Sequence, residues 1–296
     1  MIFKLEVRKI SDALGADVLN LDIRQPLAPD MLAALMQAWA DHLVLRFRAQ
    51  PLDDPQLIAF SSQLGELEPP GPNPQGKPYL PEFPQLNVIS NIKQNGQALG
   101  GLGDGEAIWH SDMTYAGTVP MGAVLHSLEV PTDGGNTYWS NLYMAYDTLP
   151  AGLRRDIEDR RAIHDSTYNS AGIMRSGMQP VTDVRRAPGA HHPLIIRHPR
   201  NGKRLLMLGW RRNSYIIGLP VADSEALLDA LWAHATQPQF TMTQHWRDGD
   251  TLVWDNFATL HRRDAFDPSS HRLMHRAQIK GYMPEAALMP AARLGR

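Results

Sequence analysis

Apolar and polar positions recur at two periods along the chain, and the change from one to the other marks out its elements. The run "LGADVLNLDI" (14–23) reads as a strand. Leu32, Leu35, Met36, Trp39 and Leu43 then recur at helical spacing behind Asp30, which is expected to cap the helix. "LVLRF" (43–47) predicts a strand, and "DPQLIAFSSQLG" (54–65) a second helix with Leu57, Phe60 and Leu64 on one face and Gly65 as its stop. Pro and Gly take over between Glu68 and Gly105, where only "LNVISNI" (86–92) reads as a strand. Long irregular segments of this kind are commonly lids or binding loops, so 68–107 is expected to be a lid-like insertion beside a substrate.

Beyond it, strands are predicted at "MGAVLHSLEVP" (121–131) and "TYWSN" (137–141), joined by a turn at "TDGGNT". Helices follow near "LYMAYDTLP" and after Pro150. "HPLIIRHPRNGKRLLMLGW" (192–210) reads as a hairpin about Asn201-Gly202. A helix carrying Leu227, Leu228, Leu231 and Trp232 is expected to be capped by Asp223 or Ser224. "FTMTQHW", "TLVWDNFATL" and "RLMHRAQIKGY" are strand-like. Strands dominate the middle and end of the chain without alternating βαβ units, which points to a mainly β, α+β fold: an antiparallel core with flanking helices.

Composition narrows the chemistry. A chain of 296 residues with 43% apolar and 20% charged positions is a globular protein, read here as a single domain spanning 1–296. Its 29 basic and 31 acidic residues give no net field to draw nucleic acid or an anionic membrane, so any anion must be held locally. With no cysteine, His, Asp and Glu are the only strong metal ligands. No segment reads as a signal peptide or membrane span, so a cytoplasmic protein is expected, with a dimeric or tetrameric homo-oligomer compatible with the sequence.

Two stretches carry candidate chemistry. In "IWHSDMTY" (108–115), strand alternation would put His110 and Asp112 on one face, where they could share a metal or merely a hydrogen bond. In "HRLMHRAQIKG", Arg272, Met274 and Arg276 share a face. On an exposed strand that is a harmless stripe. Inside a barrel two stacked guanidinium groups would need an anion, and arginine's planar fork suits a carboxylate or sulfonate. His261, eleven residues before Arg272 and at the end of "TLVWDNFATL", could join His110 and Asp112. Two histidines and one carboxylate leave open positions on an octahedral ion, the arrangement of non-haem iron(II) oxygenases.

"WHSD", "GGNT", "WDNFATLH" and "HRLMHRAQIKG", in this order and spacing, resemble the taurine dioxygenase (TauD/TfdA) family of iron(II)- and 2-oxoglutarate-dependent dioxygenases. "LGADVLNLDI", "LVLRFRAQPL" and "QLGELE" resemble its opening segment, so the likeness covers nearly the whole chain. The resemblance implies a double-stranded β-helix (jelly roll). It assigns His110, Asp112 and His261 to Fe(2+), and Arg272, assisted by the Thr137 hydroxyl, to the far carboxylate of 2-oxoglutarate. It implies that O2 is the second co-substrate, that 2-oxoglutarate is decarboxylated to succinate and CO2, and that a small anionic organic substrate is oxidised, with Arg276 gripping its acidic group. The chain departs from taurine dioxygenase after "GEL", where it has "EPPGPNPQG", and at Glu106, which stands where that enzyme has an asparagine. Taurine is therefore not expected. Glu106 and Tyr115 are carried as substrate-side candidates, and Trp109 and Trp210 could line a larger pocket or simply pack in the core.

Three rival readings stay open at this level: a zinc hydrolase using the same ligands, a non-catalytic sheet protein binding an organic acid through its arginines, and desaturation or cyclisation by the same oxidant in a biosynthetic pathway. Halogenation is disfavoured because Asp112 fills the position a halide would need. His271 and His275, on the face opposite Arg272 and Arg276, are left out of the ligand set.

Overall fold

The computed structural model describes residues 4–70 and 77–287. The chain is mainly β with flanking helices. The larger, mostly antiparallel sheet runs in the order Val7–Lys9, Ala16–Val18, Val44–Phe47, Thr251–Asp255, Gly122–Glu129, Leu273–Ile279, Leu86–Ser90 and Gly101–Leu102. A smaller antiparallel sheet runs Thr241–Gln244, Thr137–Asn141, Thr259–Arg263, Ala107–His110. The middle strands of the larger sheet are buried on both faces, so their apolar residues run continuously. Val253, Val124, Ala277 and Ile279 join the core of the helices Pro29–His42 and Asp54–Leu64, around Leu35, Trp39, Leu57 and Phe60. Leu252, Trp254, Leu125 and Met274 instead meet the smaller sheet, where the rings of Trp254 and Trp139 are 5.9 Å apart. Arg272 and Arg276 share the face of Met274 and so belong to the space between the sheets.

Several predicted boundaries move for identifiable reasons. The first strand shrinks to Ala16–Val18. Pro29, with its fixed φ, opens the first helix behind Ala28, so Asp30 is not the cap; it lies in the first turn, where its Oδ1 accepts the Met31 N–H at 2.9 Å. The second helix has the capping box, Asp53 with Gln56. The late helix begins at Val221 behind Pro220, which leaves Asp223 in its first turn and frees the Ser224 hydroxyl to accept the Ile216 N–H at 2.8 Å. The predicted hairpin is present as Ile195–Arg197 paired with Arg204–Leu206.

Part of the expected insertion, residues 71–76, lies outside the described residues. The strand Leu86–Ser90 within it is built into the larger sheet, five residues in register with Leu273–Ala277. Among the described residues no helix is long and apolar enough to cross a membrane.

Candidate active site

The strand Ala107–His110 stops at His110. Ser111 leaves the ladder, its N–H donating to the Gly209 carbonyl and its hydroxyl to the Thr259 carbonyl, both at 2.8 Å. Residues 112–115 form a turn in which Met113 has φ +53°. The alternation argument for Asp112 therefore fails: the turn, not the pleat, carries its carboxylate to the imidazole. Asn256 fixes that turn, accepting the Asp112 N–H at 2.7 Å and donating to the Asp112 and Pro120 carbonyls at 3.0 and 3.1 Å.

His261 does not follow a strand either. "TLVWDNFATL" is split into Thr251–Asp255 and Thr259–Arg263 because Asp255 Oδ1 accepts the N–H groups of Phe257 and Ala258, at 3.0 and 2.9 Å, and tightens a turn. The return strand sets His261 directly opposite His110 in the ladder. Their rings lie 4.1 Å apart, with His110 Nε2 3.7 Å and His261 Nε2 3.8 Å from the two oxygens of Asp112. One ligand atom from each of the three residues falls within 4.8 Å of the others.

The donor set fits a divalent cation. His110 Nδ1 donates to the Ile108 carbonyl at 2.7 Å, which leaves its Nε2 lone pair directed at Asp112. Among the described residues His261 Nδ1 has no hydrogen-bond partner. Burial lowers both imidazoles, with His261 brought to about 3, so both are neutral. Burial alone would raise Asp112, but Arg276, whose Nη1 donates to Oδ2 at 2.8 Å, and the two histidines bring it down to about 2. Two neutral imidazoles and one ionised carboxylate are ligands without protons to lose.

Behind His261 a narrow pocket lies between the sheets, with Arg272, Arg263 and Thr137 in its wall. Arg272 is 2% exposed, its Nε has no hydrogen-bond partner among the described residues, and burial, then Arg263, pushes its guanidinium well below the ordinary value. Among the described residues no carboxylate lies in ion-pair reach of either arginine. Such a pair of buried cations is stable only with an anion between them. Thr137 Oγ1 accepts the Trp246 N–H at 2.9 Å, which leaves its own proton to donate. Arg263, two residues beyond His261 and on its face, was not singled out from the sequence, although alternation along the strand could have found it.

A second cavity, of about 560 Å³, opens on the other side of the triad. Tyr79, Asn87, Gly101 and Leu102 of the predicted lid form part of its wall. Another part comes from 165–178, a polar stretch whose only sequence signal is loop composition. Tyr115 lines it, as do Arg276 and Trp210, which meets the His110 ring edge-on at 6.2 Å. Glu106 does not: its exposed carboxylate faces Arg262 at 3.7 Å. His275 is turned to Asp54, 2.5 Å away, and His271 to Glu129 at 3.2 Å, both away from the triad.

The family model described as "Taurine catabolism dioxygenase TauD, TfdA family" matches residues 6–278. The chain belongs to this family. Membership makes this dioxygenase an oxidoreductase, and the family uses 2-oxoglutarate and O2 with Fe(II) as its general cofactor. The chain is 31% identical over 271 residues to the alpha-ketoglutarate-dependent 2,4-dichlorophenoxyacetate dioxygenase of Cupriavidus pinatubonensis, covering 89% of this chain and 93% of that one. It is 29% identical over 289 residues to the alpha-ketoglutarate-dependent sulfate ester dioxygenase of Pseudomonas putida, covering 95% and 91%. The crystal structure of a taurine dioxygenase from Burkholderia xenovorans is similar with a TM-score of 0.77 and 30% identity, over 95% of this chain and 91% of that one.

Proposed function

We propose that this dioxygenase binds Fe(2+) through His110, Asp112 and His261 and hydroxylates a small anionic organic substrate, while 2-oxoglutarate and O2 are converted to succinate and CO2. The observation that carries the reading is one juxtaposition: three proton-free ligand atoms within 4.8 Å, backed by a pocket holding buried, unpaired Arg272. A zinc hydrolase would have no use for that arginine, and a non-catalytic acid binder no use for the triad. Hydroxylation is kept over desaturation or ring closure because both relatives above are named as dioxygenases, of an aryloxy acid and of sulfate esters. We read the two facing sheets as a double-stranded β-helix, residues 1–296 as one catalytic domain and 68–107 as its substrate-side lid.

The protein's own residues order the reaction. When bound, the ferrous ion supplies a Lewis-acidic centre that chelates the keto-acid and activates oxygen. Arg272 clamps the distant carboxylate of 2-oxoglutarate, and Thr137 donates its hydroxyl proton to the same group. Asn256 and the Ile108 carbonyl hold Asp112 and His110 in place. Arg276 keeps Asp112 ionised through one N–H and lines the substrate-side cavity, where its charge adds to the attraction of an anionic substrate. Tyr115 lines the same space, and Trp210 beside His110 keeps water from the reacting carbon. Glu106, exposed and facing Arg262 outside the cavity, takes no part in binding the substrate.

Anaerobic titration tests this. A weak visible charge-transfer band should appear only when iron(II) and 2-oxoglutarate are both present, be absent in His110→Ala, and require about tenfold more 2-oxoglutarate in Arg272→Leu. Hydrolytic turnover with zinc and no such band would overturn the assignment.

A further inference from the structure

We infer that Arg175, in the 165–178 wall, is the residue by which the large cavity selects acids: an aromatic carboxylate binds with its carboxylate on Arg175 and its ring among Tyr115, Tyr168 and Trp210. The inference rests on reading this cavity as the substrate site and goes further in naming the ligand class and a second cation. Arg175 lines the cavity with its guanidinium 3.9 Å from the Tyr115 ring centroid. A stacked guanidinium keeps its five N–H donors in one plane and presents them edge-on, so stacking fixes its position without using its hydrogen-bonding capacity. Among the described residues its guanidinium makes one hydrogen bond, a long contact of 3.4 Å from Nη1 to the Ser166 carbonyl. Among the described residues no carboxylate lies in ion-pair reach of it.

The other charged groups of the cavity are already engaged. Arg276 gives Nη1 to Asp112, which removes part of its fork. Asp165 is no counter-ion for Arg175, because Oδ1 accepts the N–H and hydroxyl of Thr167, at 3.0 and 2.6 Å, and Oδ2 accepts Asn213 at 2.8 Å. Arg175 therefore offers an intact bidentate edge, the geometry a carboxylate takes up best. Apolar and aromatic surface surrounds it, from Ile173, Met174 and Met178 as well as the rings. Arg212 lies 3.4 Å from the Tyr168 ring centroid and braces that ring. Because Arg175 contacts Tyr115 and not the triad, an acid held there places its ring toward His110 and the site of oxidation.

The experiment is equilibrium binding to the full chain by tryptophan fluorescence, with phenoxyacetate and its uncharged counterpart phenoxyacetamide as probes. Wild type should prefer the acid. Arg175→Met should lose about tenfold or more in affinity for phenoxyacetate while phenoxyacetamide binding changes less than about twofold, and Arg175→Lys should recover only part of the loss. Equal loss for both probes, undiminished acid binding in Arg175→Met, or a wild type that does not prefer the acid would each overturn the inference. Binding of N-oxalylglycine with manganese(II), followed separately, should be unaffected by Arg175→Met. Its failure in wild type would count against the oxygenase reading, whatever the two probes show.

Discussion

At the scale of single residues, Gly209 bears on the triad without touching it. Its carbonyl takes the Ser111 N–H where the chain leaves the strand, and its φ is +65°. A Cβ there would lie 2.1 Å from His164 Nδ1 and 2.5 Å from Thr114 Oγ1. Gly209→Ala should therefore destabilise the protein by about 2 kcal/mol, a drop in Tm of roughly 3 °C, and weaken metal binding about tenfold as Asp112 is displaced. Gly177→Ala is the control: φ is +77° but nothing lies within 4 Å of the added carbon, so only the backbone cost of about 1 kcal/mol remains. Calorimetry showing equal losses for the two variants would refute the packing argument. The residues of the candidate triad were legible in the sequence because H-x-D, the later histidine and the spaced arginines, each weak alone, point to one chemistry when taken together. Asn256 was visible only as a letter of "WDNFATLH", since it works through backbone groups whose positions no spacing records.

At the scale of elements, periodicity located most helices and strands, whereas their ends depended on interactions it does not encode. Asp112 was placed on a strand that ends two residues earlier, and "TLVWDNFATL" concealed a turn whose cause is a side-chain hydrogen bond from within the run. The predicted lid is the clearest mixture. Its Leu86–Ser90 strand is locked into the large sheet, so any closure belongs to the flanking stretches, among them 101–105. Arg263 ties that stretch down, donating to the Leu102 carbonyl at 3.3 Å and to the Gly105 carbonyl. Leu102 lines both cavities, so the tether lies at the boundary between them. Arg263→Met should raise amide hydrogen exchange across 101–106 severalfold while Leu86–Ser90 stays protected. Unchanged exchange at 101–106 would mean that the carbonyl contacts do not hold the segment.

At the scale of the whole molecule, the formal charge is only −2 at pH 7, so mild acid should act through buried groups more than through general repulsion. Those groups are histidines folded in the neutral form. His126 gives its Nδ1 proton to Thr251 Oγ1 at 2.8 Å and needs an unprotonated Nε2 to accept the Leu52 N–H at 3.1 Å. Burial, then the neighbouring His275, lowers it to about 4. His164 and His192 are lowered by burial as well. A lowered folded-state pKa means that the unfolded chain binds the extra proton first, from about pH 6.5 downward, so stability is full above that pH and falls as pH approaches 4. Each such histidine contributes up to roughly 1.4 kcal/mol per pH unit across its window. In metal-free protein Tm should thus decline steadily from pH 6.5 to 4. His126→Gln, which can still accept from Leu52, should shallow that decline by about one proton's worth. A wild-type Tm flat over this interval, or a variant slope indistinguishable from it, would show that His126 does not stay neutral in the folded chain.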